Sequence, residues 1–270
     1  MNMRKTIGVV LAACFLGAAS LFAPSATAKT TDESDIWYVR GEAGWAIQLI
    51  QNDNTIFATL YVYGPDNQPT WYTATLVYKG SFNWSGDLYK TTGPWFGAVP
   101  FDPTTVNLTL VGTMSLNAPF VENGATLIYS VNGVQVLKTI ERYLFAYENY
   151  NGVFAGVMSQ QGTGFAPCNP ADNFDATSAM VNISQSTTAM TLVIVTNGDT
   201  CSFPGTYNQW GHMGRVTGNY LCTSGASGTF RFLEMNRTFL DFRARTLLTT
   251  ATGCTLKGYL LGLKQPPVPQ

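Results

Sequence analysis

The sequence predicts an all-β protein of two antiparallel meander domains, barrel-like or sandwich in form, the second an internal duplication with disulfides. From residue 29 onward, short apolar runs rich in aromatic residues alternate with polar turns. Helical periodicity is poor, and its one candidate, 140–147, has ambiguous apolar spacing. Charged residues make up 11% of the chain, against ~25% in ordinary soluble domains, a composition typical of exported β proteins.

The first 28 residues are predicted to be a secretory signal peptide. Arg4 and Lys5 form its positive region, an apolar segment follows over 7–22, and residues 26–28 form an A-x-A cleavage site that ends at Ala28. A lipoprotein box ending at Cys14 is the alternative, but acylation there would leave much of the apolar segment on the mature chain. We therefore expect a periplasmic or secreted protein. No later segment is continuously apolar over the ~20 residues of a membrane helix.

The first domain is predicted over residues 30–147, as seven or eight strands joined by hairpins. Strands are expected at 45–51, 56–63 and 71–78, and the turns between them are rich in Asn, Gly and Pro. Further strands are expected at 84–90 and 105–116. Asn132-Gly133 lies between two apolar runs and is a strong hairpin signal, because both residues tolerate the positive φ of a type I′ turn.

The second domain is predicted over residues 148–265, as an internal repeat. Gly152, Gly205 and Gly258 follow one another at intervals of 53 residues, and the last two each follow a cysteine by four positions. A duplicated four-strand meander with a final strand beside the first would close into a barrel. An open sandwich is the alternative.

Four cysteines follow the predicted signal peptide, and an even number in an exported chain predicts disulfides. The repeat favours Cys168–Cys201 with Cys222–Cys254, because equivalent positions should form equivalent bonds. Cys201–Cys222 is the alternative, since the turn midway between them at His212 permits a cross-strand bond. We expect no metal site and no cofactor, because no C-x-x-C motif occurs and His212 is the sole histidine.

Aromatic residues concentrate in the first half of the chain, which holds five of the six tryptophans. Trp71 and Tyr72 are adjacent and must point to opposite faces of their strand, whereas Tyr61 and Tyr63 share a face with Phe57. About half of these aromatic residues are expected in the core, and the rest on a ligand or partner surface. The candidate ligand-binding residues are Glu42, Trp45, Tyr61, Tyr63, Trp71 and Trp84.

These features favour a non-catalytic binding role, for a small or polymeric ligand or an envelope partner. The charges are scattered, so no basic stripe is present for nucleic-acid binding. A hydrolase acting on an envelope or extracellular polymer is an alternative, because Glu42, Asp66 and Asp87 lie near predicted strand ends and could supply a carboxylate pair. A protein inhibitor or adhesin-like module is a further alternative.

The motif Glu42-x-Gly44-Trp45 is followed by an F-A-T phrase at 57–59, by Tyr63, and by P-x-W-Y at 69–72. This series resembles a group of secreted, uncharacterised proteobacterial proteins. A second segment, over 205–230, is similar to one often found after it. The resemblance covers nearly the whole mature chain, and it implies export but no particular activity. Ala43 and Ala46 stand where the group often has Ser and Gly.

Overall fold

The computed structural model describes residues 31–119, 124–163, 168 and 173–266, without the side chains of residues 174 and 175. The predicted signal peptide, with Cys14 and Ala28, lies outside the described residues. Within these ranges the chain forms sixteen strands and one short 3-10 turn at Pro103–Thr105, and the strands close into two antiparallel barrels. This confirms the all-β prediction, and each domain is a barrel rather than a sandwich. In the described part of the chain, no helix is long and apolar enough to span a membrane.

The first barrel is an eight-stranded meander that closes when its first strand pairs with its last, Trp37 opposite Arg142. Alternate residues of each strand point inward and form a packed core with Trp37 and Trp84 among them. The predicted hairpin at Asn132-Gly133 is confirmed, with φ values of 49° and 84°. The strands are β1 Asp35–Tyr38, β2 Ala46–Asn52, β3 Thr55–Tyr63, β4 Pro69–Gly80, β5 Asn83–Thr92, β6 Asn107–Asn117, β7 Gly124–Val131 and β8 Val134–Arg142.

The second barrel is also an eight-stranded meander, and its final strand pairs with its first as the sequence predicted. Its core is rich in phenylalanine, and the segment 143–151 that links it to the first barrel contains the predicted domain boundary. The strands are β9 Gly152–Gly162, β10 Phe174–Gln185, β11 Ala189–Thr196, β12 Asp199–Trp210, β13 Met213–Cys222, β14 Ser227–Arg237, β15 Asp241–Thr250 and β16 Thr255–Lys264.

The close approach of neighbouring strands in this barrel depends on glycine. A Cβ on Gly258 would lie 1.8 Å from the backbone oxygen of Ser159, and one on Gly156 would lie 1.8 Å from that of Leu261. Any side chain at these positions would push β9 and β16 apart. A close strand approach therefore accounts for Gly258, one of the three regularly spaced glycines.

The predicted repeat does not match strand for strand within the described residues. Gly152 lies on β9, Gly205 on β12 and Gly258 on β16, so the first interval advances by three strands and the second by four. The cysteine pairing inferred from equivalent positions therefore lacks its basis. The repeat itself remains a prediction.

The four cysteines form two disulfides, as expected, but the favoured pairing of Cys168 with Cys201 and Cys222 with Cys254 is wrong. Cys168 pairs with Cys254, and Cys201 pairs with Cys222. The cross-strand alternative was right for the second bond, because Cys201 and Cys222 lie directly opposite each other on β12 and β13. Two disulfides indicate an oxidising, extracytoplasmic environment.

Candidate functional site: the aromatic face of the first barrel

The outer surface of β3 and β4 carries four aromatic side chains, Phe57, Tyr61, Tyr63 and Trp71, which we call the aromatic face. Their exposed fractions are 47%, 44%, 61% and 47%, respectively. The alternation of β3 explains the arrangement, since the inward-facing side chains of Ile56, Ala58 and Leu60 are fully buried. The predicted shared face of Phe57, Tyr61 and Tyr63 is therefore the solvent side of the barrel.

Strand register makes the aromatic face continuous. Tyr61 lies directly opposite Trp71, and side chains in such a pair are in contact range. Thr59 opposite Thr73 forms the next outward row, and Phe57 with Ile50 of β2 forms the row beyond it. Hydroxyl groups are thus interleaved with flat apolar rings, so one surface can offer both stacking and hydrogen bonding.

Gly44 supports one end of this surface. Its φ is +87°, and a Cβ at this position would lie 2.4 Å from Cε2 of Tyr63. The Tyr63 ring therefore packs directly on the Gly44 backbone, and Ala46 lies opposite Tyr61 on the same face. The Gly44 contact gives the E-x-G-W phrase a structural role in positioning Tyr63.

Two other predicted site residues lie away from the aromatic face. Trp45 is half-buried and packs on the core, and its Nε1 donates a hydrogen bond to the Tyr129 hydroxyl at 3.2 Å. Glu42 is exposed and accepts a hydrogen bond from Nζ of Lys138 at 2.5 Å.

Trp84 does not belong to a ligand-binding surface, and its assignment there is corrected. Its side chain is 1% exposed and points into the first barrel, where its ring packs on Tyr78 with centroids 5.0 Å apart. Trp84 and Leu88 share the inward side of β5, so core packing accounts for this tryptophan.

The three carboxylates considered for catalysis each have a separate local partner. Glu42 pairs with Lys138, Asp66 accepts a hydrogen bond from the backbone N–H of Gln68 within its own turn, and Asp87 accepts one from the Tyr89 hydroxyl at 3.5 Å. These partners provide structural roles for all three groups.

A buried charge cluster, which the sequence did not predict, joins the two barrels. Arg142 donates hydrogen bonds to Glu33 Oε2 at 2.6 Å and to Asp35 Oδ2 at 3.3 Å, and its guanidinium lies 4.5 Å from the Trp37 ring centroid. His212, in the turn between β12 and β13, donates its backbone N–H to Asp35, and its Nδ1 lies 2.9 Å from the same oxygen. The His212 side chain is thus a hydrogen-bonded contact between the barrels.

The cluster perturbs its carboxylates in opposite directions. Burial raises the pKa of Glu33 to about 7, although the neighbouring Arg142 charge opposes the rise. Burial also disfavours ionisation of Asp35, but hydrogen bonds from His212 hold the pKa of Asp35 below its usual range. The acidic run that precedes β1 was the only sequence signal available for this cluster.

One group of potential metal ligands occurs in the described part of the chain, formed by Asp199, Cys201 and Cys222. Both cysteines are consumed by their mutual disulfide, so no thiolate is available and the group does not make a metal site.

No protein-family model matches this chain, and no curated protein or solved structure is significantly similar to it. The resemblance to secreted proteobacterial proteins therefore stays a prediction, and the functional inference rests on the site itself.

Proposed function

We propose that this is an exported, non-catalytic binding protein that holds a ligand or an envelope partner on the aromatic face. The observation that carries the proposal is the outward position of Phe57, Tyr61, Tyr63 and Trp71 on a barrel whose core is filled by other side chains. Contiguous exposed apolar surface on a soluble protein commonly marks an interaction site.

An extended ligand suits this surface better than a compact one. The rings lie in successive rows along β3 and β4, and threonine hydroxyls separate them. Aromatic rings can stack on sugar rings, and the hydroxyls can hydrogen-bond to polar groups between them. We therefore favour a polymeric ligand, such as a cell-envelope polysaccharide. Export by the predicted signal peptide, to the periplasm or the medium, agrees with the two disulfides.

The experiment is co-sedimentation of purified protein with peptidoglycan sacculi, cellulose and chitin. Trp71→Ala and Tyr61→Ala should reduce retention on the polymer that binds the wild type, with stability changes within ~1 kcal/mol because both side chains are half-exposed. Trp84→Ala is the matched control for the stability measurement. Its ring is buried, so its removal should cost ~3–5 kcal/mol of stability, unlike removal of the half-exposed rings. Unchanged retention of both surface variants, or no retention of the wild type on any of the polymers, would contradict the proposal.

The inhibitor or adhesin-like alternative is favoured by one observation. The loop between β5 and β6 exposes Trp95, Phe96 and Val99, with Phe96 90% and Val99 96% accessible. Such a loop could insert into a partner protein. A Trp95→Ala/Phe96→Ala variant separates the two candidates. It should keep polymer retention if the aromatic face binds the polymer. If the loop is the functional element, the variant should instead lose its partner protein, and retention of the wild type on the polymers is not expected.

A further inference from the structure

The second barrel has an open cup at the end that carries both disulfides. The cup has a volume of about 820 Å³. It is lined by described residues at the ends of seven strands, β9 and β11 to β16. This volume lies within the ~300–1,000 Å³ range of small-molecule sites, which occur preferentially at places such as the mouths of β-barrels. The cup is on a different barrel from the aromatic face.

The inner end of the cup is apolar and aromatic. Phe203 and Tyr220 form a stacked pair with ring centroids 5.4 Å apart and planes inclined by 22°. Met158, Leu248 and Leu256 extend this surface from three other strands. An apolar group that entered the cup would therefore be removed from water on several sides.

The outer part of the cup is polar, and one charged residue occurs among the described residues that line it. Thr196, Ser227, Thr250 and Thr252 contribute hydroxyl groups. Among these described lining residues, Asp199 is the only ionisable side chain apart from Tyr220, and no Lys, Arg or His is present. Anionic ligands would thus meet a negative charge and no compensating cation from this part of the lining.

Asp199 is held ionised by the protein itself. Hydrogen bonds from the side chains of Ser224 and Thr223 lower the pKa of Asp199 to about 2. The backbone N–H groups of Thr200 and Ser224 donate to the same carboxylate. These bonds connect the start of β12 with the turn after β13, so the charge is fixed in place.

The rim is also covalently constrained. Cys201–Cys222 links β12 to β13 across the barrel wall, and Cys168–Cys254 ties the segment after β9 to the residue just before β16. A rim that is ordered before binding reduces the entropy lost on complex formation.

We propose that this cup binds a small neutral amphiphile, with its apolar body on the Phe203–Tyr220 pair and its polar end at the threonine rim. The shape and the apolar inner end select the body of the ligand. The fixed Asp199 carboxylate selects against anions.

The test uses the full mature chain and two fluorescent probes of similar shape, neutral N-phenyl-1-naphthylamine and its sulfonated analogue 8-anilinonaphthalene-1-sulfonate. We expect saturable binding of the neutral probe to a single site, and binding of the sulfonate at least about tenfold weaker because of one uncompensated like-charge contact. Ala226→Trp and Ala251→Trp place an indole at exposed positions of the cup, and each should abolish binding. Ala189→Trp, an exposed position at the opposite end of the barrel, is the matched control and should bind like the wild type.

Several results would overturn the proposal. The wild type could fail to bind the neutral probe, both cup variants could bind it as tightly as Ala189→Trp, or the sulfonate could bind equally well. Loss of binding in Trp71→Ala, with both cup variants unaffected, would place the probe on the aromatic face and would also overturn it. Near-ultraviolet circular dichroism identifies any variant that fails to fold, and either cup variant alone suffices for the comparison.

Discussion

Replacing Arg142 with methionine should destabilise the protein strongly, because this arginine neutralises buried carboxylates where the barrels meet. Its side chain is 4% exposed, and those of Glu33 and Asp35 are 5% exposed. Arg142 also donates a hydrogen bond to the backbone oxygen of Asp32 at 2.8 Å. Methionine retains an unbranched apolar stem but leaves Glu33 without its counter-charge. Removing one partner of a buried ion pair costs ~3–5 kcal/mol, and we expect a loss of this size at pH 8.

The cost should depend on pH because Glu33 can take up a proton. Its folded pKa of about 7 lies above the ordinary value of 4.5, so the folded state binds more protons than the unfolded state between these values. Loss of Arg142 removes an interaction that lowers this pKa, which raises it further. At pH 5 Glu33 is therefore neutral in the folded state of both proteins, and the destabilisation by Arg142→Met should be smaller than at pH 8.

The assay is urea unfolding followed by tryptophan fluorescence, which reports mainly on the first barrel because five of the six tryptophans lie there. Arg40→Met is the matched control, since Arg40 also pairs with a glutamate, Glu141 at 3.0 Å, but its side chain is 81% exposed. Exposed pairs contribute ~0–1 kcal/mol. Equal destabilisation by the two substitutions, or a cost of Arg142→Met that is the same at pH 5 and pH 8, would refute the reasoning.

The remaining predictions concern Glu33 and the turn that supports the aromatic face. Wild-type stability should fall as the pH rises from 5 to 8, and Glu33 should contribute up to ~3 kcal/mol of this change. Glu33→Gln should remove that contribution in urea titrations at the two pH values. If the variant lost as much stability between pH 5 and pH 8 as the wild type, the assignment of the pH dependence to Glu33 would be contradicted. Gly44→Ala and Gly41→Ala both place a side chain at a φ near +87°, but only Gly44 is covered by a tyrosine ring. Gly44→Ala should therefore lower stability by ~1–3 kcal/mol more than Gly41→Ala in thermal melts, and equal losses would mean that the ring moves freely.

Strand alternation let the sequence predict which residues share a face, but not always which face is buried. Trp71 and Tyr72 do point to opposite sides, with Trp71 47% and Tyr72 9% exposed. On β5, however, Trp84 and Leu88 lie on the inward side and Tyr89 lies on the other, so aromatic residues alone do not identify the core side. Where aromatic residues occur on both sides of a strand, only packing against the other strands decides which side is inside.

Contacts that depend on barrel closure and register lay beyond the sequence patterns. The disulfides were predicted, but their pairing needed the register that sets Cys201 opposite Cys222. The Arg142–Glu33 pair joins residues 109 positions apart, and it forms because β1 and β8 close the barrel. The acidic residues at 32–35 do not by themselves identify a partner so distant in the sequence. The cup was missed because its lining comes from seven strands.

The first barrel carries exposed aromatic residues that its core does not account for, and this supports a binding role for it. In the second barrel, Phe230 and Phe232 point inward and contact each other with centroids 5.0 Å apart, so they are explained by packing. In the first barrel, Tyr61 and Trp71 make no comparable contribution to the core, which is complete without them. Exposed rings gain little from folding. Binding in solution would supply the burial that folding does not, and this is why we propose a functional surface on the outside of the first barrel.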